Sequence, residues 1–151
     1  MARYRTTVSV PTSIEDTFDY LARFDTTAEW DPGVVEASMT TPPPVALGST
    51  FRVVARFLGR QVALDYEVID IDRPNRVVLQ AQNSSVTSLD TITVGAGDDG
   101  ATSVTYDASL QGRGAARLAE PLLALAFRRI GDAAVEGLTS TLSDRSENRA
   151  S

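Results

Sequence analysis

The sequence predicts an α+β domain. It comprises an antiparallel sheet of about seven strands with one apolar face, two short helices between the first and second strands, and a long C-terminal helix as the cover. Three observations predict this. Several stretches alternate apolar and polar residues with a period of two, the mark of half-buried strands. Turn residues separate these stretches at short intervals. Beyond Gly112 and Gly114 the apolar spacing becomes helical and stays so to Leu142.

Tyr4, Thr6, Val8 and Val10 alternate with Arg5, Thr7 and Ser9, which predicts a first strand ended by Pro11. Ser13 followed by Asp16 predicts a helix start, the Asp standing where a capping box has Glu. Ile14, Phe18 and Leu21 then share one helical face to about Ala22, and a second short turn is expected around Thr26 to Glu29. Trp30-Asp31-Pro32-Gly33 is turn chemistry, and Val34 to Thr40 is the second strand.

The clearest signal is a hairpin. Phe51, Val53, Ala55 and Phe57 alternate with Arg52, Val54 and Arg56; Gly59 marks the turn. Val62, Leu64, Tyr66 and Val68 then alternate with Ala63, Asp65 and Glu67. Arg52 and Arg56 are placed to pair across strands with Asp65 and Glu67. Strands follow at Val77 to Gln82, Val86 to Val94 and Thr102 to Leu110. The Gly/Asp stretch from Gly95 to Gly100 reads as a loop. It lacks the Gly-Lys-Ser/Thr ending of a phosphate loop and the ligand spacing of an EF-hand. Leu118, Leu122, Leu125, Ile130 and Leu138 fit the long helix, with Pro121 tolerated in its first turn. A single domain over residues 1–143 and a flexible polar tail over 144–151 are expected.

Composition narrows the chemistry. The 151 residues contain no Cys and no His, and all 14 basic residues are Arg. Thiolate, disulfide and zinc-finger chemistry fall away, as do a histidine base and a Schiff-base lysine. Acid–base work is left to Asp, Glu, Tyr or water. The net charge is −6, with the arginines scattered, so neither nucleic acid nor an anionic membrane is an expected partner. No cofactor and no metal are expected. The N-terminus has no apolar signal core and no stretch suits a bilayer span, so a cytoplasmic protein, monomer or homodimer, is expected.

Several local patterns carry a resemblance. Val8-Ser9-Val10-Pro11 precedes a helix with Glu15 and Phe18-Asp19-Tyr20-Leu21, and Trp30-Asp31-Pro32-Gly33-Val34 opens the second strand. Gly48 to Phe57, Tyr66-Glu67-Val68, Asp72-Arg73-Pro74, the stretch Gly100 to Tyr106, and a closing helix over Leu122 to Leu142 follow in order. Together these resemble the START-like helix-grip superfamily, in its polyketide cyclase/dehydrase-like branch, related to pollen-allergen ligand-binding domains. The resemblance implies a curved sheet around the C-terminal helix with an apolar cavity between them. It implies binding or transport of an apolar small molecule of lipid, aromatic or polyketide-like type. A cyclase or dehydratase working through Asp and Tyr is one alternative, and an interaction domain without a ligand is another.

Candidate ligand-binding residues on the apolar face are Phe18, Trp30, Phe51, Phe57, Leu64, Tyr66, Tyr106, Leu122 and Phe127. Each of them equally suits an ordinary core. Asp90 is the candidate acid, because a strand with Val86, Ile92 and Val94 inward also turns Ser88 and Asp90 inward. A buried carboxylate would need a partner, a raised pKa or a ligand. Leu89 supports the opposite facing. Tyr66 and Tyr106 would need hydroxyl partners if buried. Trp30 suits either a pocket mouth or packing on the body of the domain. Arg128 and Arg129 suit either an anion at the mouth or helical pairing with Asp132.

Overall fold

The computed structural model describes residues 2–57, 59–114 and 120–150, without the side chains of 57, 120–127, 130 and 147–150. Seven strands form one antiparallel sheet: β1 (Ala2–Val10), β2 (Val34–Met39), β3 (Thr50–Phe57), β4 (Arg60–Asp72), β5 (Arg76–Gln82), β6 (Val86–Ala96) and β7 (Thr102–Gly112). Their spatial order is β1-β7-β6-β5-β4-β3-β2, so the only non-sequential neighbours are β1 and β7. The helices are α1 (Ile14–Ala22), α2 (Thr27–Trp30) and α3 (Glu120–Ala150), with a 3₁₀ turn, Phe24–Thr26, before α2. Fold class and element order therefore agree with the sequence.

Local chemistry places the elements as expected. The Ser13 hydroxyl accepts the Asp16 N–H at 3.1 Å and caps α1. Phe18 and Leu21 are buried on the inner face of α1, and Ile14 packs at its margin. Gly59, at φ +78°, makes the β3–β4 turn in a conformation that side chains disfavour. Arg52 lies directly opposite Asp65, 3.5 Å away and largely exposed, so the pair adds little stability. The register departs from expectation at the hairpin ends. Arg56 stands opposite Gln61 and Glu67 opposite Thr50, because the hairpin turns tightly at Gly59.

The alternation in β6 resolves the facing of its polar residues. Ser88, Asp90, Ile92 and Val94 are buried, whereas Thr93 is exposed and Leu89 only half-buried on the other face. Register explains why. Asp90 lies between Leu79 of β5 and Ala108 of β7, and Ile92 between Val77 and Tyr106, all inward-facing positions. A one-residue slip would turn both sets outward at once.

The polar residues 144–150, expected as a tail, lie within α3, which runs to Ala150. The Arg145 guanidinium lies 4.3 Å from the centre of the Tyr20 ring, so this end of the helix stacks on α1. A run of polar residues hides such a helix because its apolar partner is supplied by another element.

Two glycines seat α3. A Cβ at Gly137 would lie 1.9 Å from the Trp30 carbonyl oxygen, and one at Gly131 would lie 2.6 Å from the Tyr4 ring. The Tyr4 hydroxyl donates to Asp132 at 2.8 Å on the same helix. The substitution Gly137→Ala is expected to push α3 off α2 and to cost about 2 kcal/mol or more. Gly131→Ala is expected to cost less, since the Tyr4 ring can swing aside where a backbone carbonyl cannot. Chemical denaturation of the two variants measures the difference.

Candidate functional site

Between the inner face of the sheet and α3 lies a cavity of about 540 Å³. That volume falls in the range that holds a small organic ligand. Its described wall is mainly apolar, with Phe24, Val34, Val53, Leu64, Leu110 and Leu138 prominent. Arg56, Arg60 and Ser85 border it as well and are exposed, so the β3–β4 and β5–β6 turns form its rim.

A polar chain crosses this apolar wall. The Tyr66 hydroxyl and Ser88 Oγ are 2.8 Å apart, and Ser88 Oγ donates to Asp90 Oδ1 at 3.1 Å. The Tyr106 hydroxyl donates a short hydrogen bond to Asp90 Oδ2. Strand order accounts for the reach. Tyr66 on β4 lies opposite Ala81 on β5, and Ala81 lies opposite Ser88 on β6. The methyl of Ala81 leaves room for the Tyr66 ring to cross β5. Tyr106 on β7 reaches Asp90 diagonally, two residues from its direct partner Ala108.

Burial governs the electrostatics. Loss of water pushes the Asp90 carboxyl up to about 6, against the pull of the Tyr106 and Ser88 hydrogen bonds. Tyr66 and Tyr106 are held well above the ordinary phenol range, first by burial and then by the neighbouring Asp90 charge. A second carboxyl borders the cavity. Asp31 is raised by burial, while its Oδ1 accepts the Gly33 N–H at 2.8 Å. Sequence reasoning saw Asp31 only as a turn residue. That reading is right for its backbone role, and nothing in the one-dimensional pattern reveals the second exposure to the cavity.

The predicted residues divide into three groups. Trp30, Leu64, Tyr66, Asp90 and Tyr106 all border the cavity. Trp30 is also packed into the domain, buried and with its ring edge-on to Tyr106 at 5.9 Å. Phe18 and Phe51 are corrected. Each is 0% exposed and belongs to the solid core outside the cavity wall. Phe18 lies under the Arg73 guanidinium at 5.6 Å, and Phe51 meets the edge of Phe24 at 6.4 Å. Alternation specifies a face but not how far along the sheet the helix leaves a gap. The side chains of Phe57, Leu122 and Phe127 lie outside the described residues. Arg128 and Arg129 are exposed, and Asp132 takes the Tyr4 hydroxyl. Among the described residues no cluster of three His, Cys, Asp or Glu side chains is set to hold a metal, and no helix is long and apolar enough to cross a membrane.

Comparison with known proteins agrees with this geometry. The profile of a family described as polyketide cyclase / dehydrase and lipid transport matches residues 1–143. Among solved structures, a START superfamily protein from Mycobacterium smegmatis superposes with a TM-score of 0.78 at 12% identity, over 94% of this chain and 97% of that one. The Zhui aromatase/cyclase from a Streptomyces species superposes with 0.77 at 14% identity, over 95% and 94%. A ginseng major latex-like protein from Panax ginseng superposes with 0.62 at 10% identity, over 93% and 97%. At such identities the likeness is one of fold. No curated protein matches the chain.

The raised Asp90 pKa has a signed consequence. A carboxyl that binds its proton more tightly when folded carries no penalty below its unfolded pKa of about 3.8. The penalty grows as pH rises and is complete above about 6. The expected loss is on the order of 3 kcal/mol. Measured against Asp90→Asn, which cannot ionise there, wild-type stability is expected to fall between pH 4 and 7. Denaturation midpoints of both proteins across that range check it; parallel curves would contradict it.

Proposed function

The chain belongs to the polyketide cyclase/dehydrase and lipid transport family, and from that premise we propose that it binds an apolar small molecule in the cavity between sheet and α3. The observation that carries this reading is the cavity itself. Its wall is mainly apolar, yet Tyr66, Ser88, Asp90 and Tyr106 form one hydrogen-bonded chain within it. Apolar burial supplies affinity at roughly 0.8 kcal/mol per CH₂. The polar chain supplies orientation. The ligand is an apolar skeleton, lipid-like, aromatic or polyketide-like, with one or a few oxygen or nitrogen functions.

The test is uptake of N-phenylnaphthylamine, whose fluorescence rises on leaving water. The wild type is expected to bind it in the micromolar range with one site. Ala108→Trp places an indole in the cavity at a buried position of β7 and is expected to abolish uptake while leaving the circular dichroism of the sheet unchanged. Equal uptake by both proteins would place the dye elsewhere and remove the support.

A second reading is favoured by one observation. Asp90 is buried, holds a pKa of about 6 and touches two hydroxyls, so it can exchange a proton near neutral pH. That suits a cyclase or dehydratase, in which the cavity folds a flexible chain and Asp90 moves the proton. If the protein is such an enzyme, Asp90→Asn is expected to lose at least about a hundredfold in kcat while still binding the dye. A carrier shows binding and has no turnover to lose.

A further inference from the structure

The hydrogen-bonded chain in the cavity wall has a proton count, and the count is closed. Tyr66, Ser88 and Tyr106 bring three hydroxyl protons, and an ionised Asp90 brings none. Ser88 gives its proton to Asp90 Oδ1, so the contact between Ser88 and Tyr66 must be donated by Tyr66. Tyr106 gives its proton to Asp90 Oδ2. All three protons are spent inside the chain, and only lone pairs remain to face a ligand.

The other polar groups around the cavity follow the same pattern. Thr27 donates to the Phe24 carbonyl at 2.8 Å, and Tyr4 donates to Asp132. Asp31 accepts from Gly33 and, when ionised, has no proton to give. The Trp30 indole N–H has no partner among the described residues, but the atom is itself buried and presents no accessible surface. Among the described residues, the donors left to a ligand are Arg56 and Arg60, which flank the β3–β4 turn, and Ser85 and the Asn83 amide in the β5–β6 turn.

We infer that the cavity selects ligands whose inner polar group is a hydrogen-bond donor, a hydroxyl or an amine on an apolar skeleton, over ligands that can only accept there. The inference rests on the ligand-binding reading above and adds the chemical class of the ligand. A donor group finds the free lone pairs of Tyr66, Tyr106 or Asp90. A carbonyl or ether in the same place meets oxygen lone pairs and stays unpaired in an apolar site.

The test compares naphthylmethanol with naphthaldehyde of the same ring position by calorimetry at pH 8, where Asp90 is ionised. The two probes share a heavy-atom skeleton and differ in the donor. The wild type is expected to bind the alcohol at least about tenfold more tightly. Asp90→Asn introduces two N–H groups and turns a hydroxyl proton of the chain back to the cavity. The preference is expected to shrink below twofold or reverse. Tyr106→Phe frees an oxygen of Asp90 and is expected to keep or widen it, so the two variants move in opposite directions. Equal affinity of the wild type for both probes overturns the inference, as does a preference unchanged in Asp90→Asn. If N-phenylnaphthylamine binds and neither probe does, the donor rule falls and the cavity reading stands. If none of the three binds, both fall.

Discussion

α1 covers one part of the apolar face of seven strands and α3 the rest, and much else about this molecule depends on how closely α3 can approach. Gly137 lets the Trp30 carbonyl sit directly on the α3 backbone, and Gly131 does the same for the Tyr4 ring. These two contacts fix α3 against α2 and the β1 edge. They do not bring it down onto the middle of the sheet. Phe18, Phe51, Val68, Leu79 and Val104 fill the space toward α1 as solid core. Beyond them, toward the β3–β4 and β5–β6 turns, the space between the sheet and α3 is the cavity.

The polar chain exists because the cavity does. In a filled core an aspartate at position 90 would face hydrocarbon, at a cost no single hydrogen bond offsets. Here Asp90 keeps two donors, and burial expresses itself as a raised pKa rather than as unfolding. Each partner is placed by sheet geometry. Ser88 is on the same face of the same strand, Tyr106 is a diagonal neighbour, and Tyr66 reaches across the small Ala81. Buried polar networks are stable only when complete. This one is complete toward its own members and open, through lone pairs alone, toward the void.

The charge pattern has a direction. Among the described residues, the wall carboxyls Asp31 and Asp90 are raised by burial, and the bordering arginines Arg56 and Arg60 are exposed. On the binding reading proposed above, a ligand entering from that end would pass cationic and amide donors before it reached the acceptors of the described wall, and such a gradient would orient a molecule with unlike polar groups at its two ends.

The sequence by itself determined the strands, their apolar face, the capped first helix, the Gly59 hairpin and the long closing helix, because each is written in local periodicity and turn chemistry. It also named five of the residues that border the cavity. Tertiary structure alone decided the rest. Whether Asp90 or Leu89 faces inward depends on register with β5 and β7, which a strand cannot state for itself. Phe18 and Phe51 look like Leu64 and Tyr66 in any periodic pattern, and only the assembled fold separates packed core from open wall. Asp31, Gly131 and Gly137 act through partners distant in the chain, so their local sequence shows only a turn and two helix-weakening residues. Periodicity records which way a side chain points; the distance to what it meets is a property of the assembled fold.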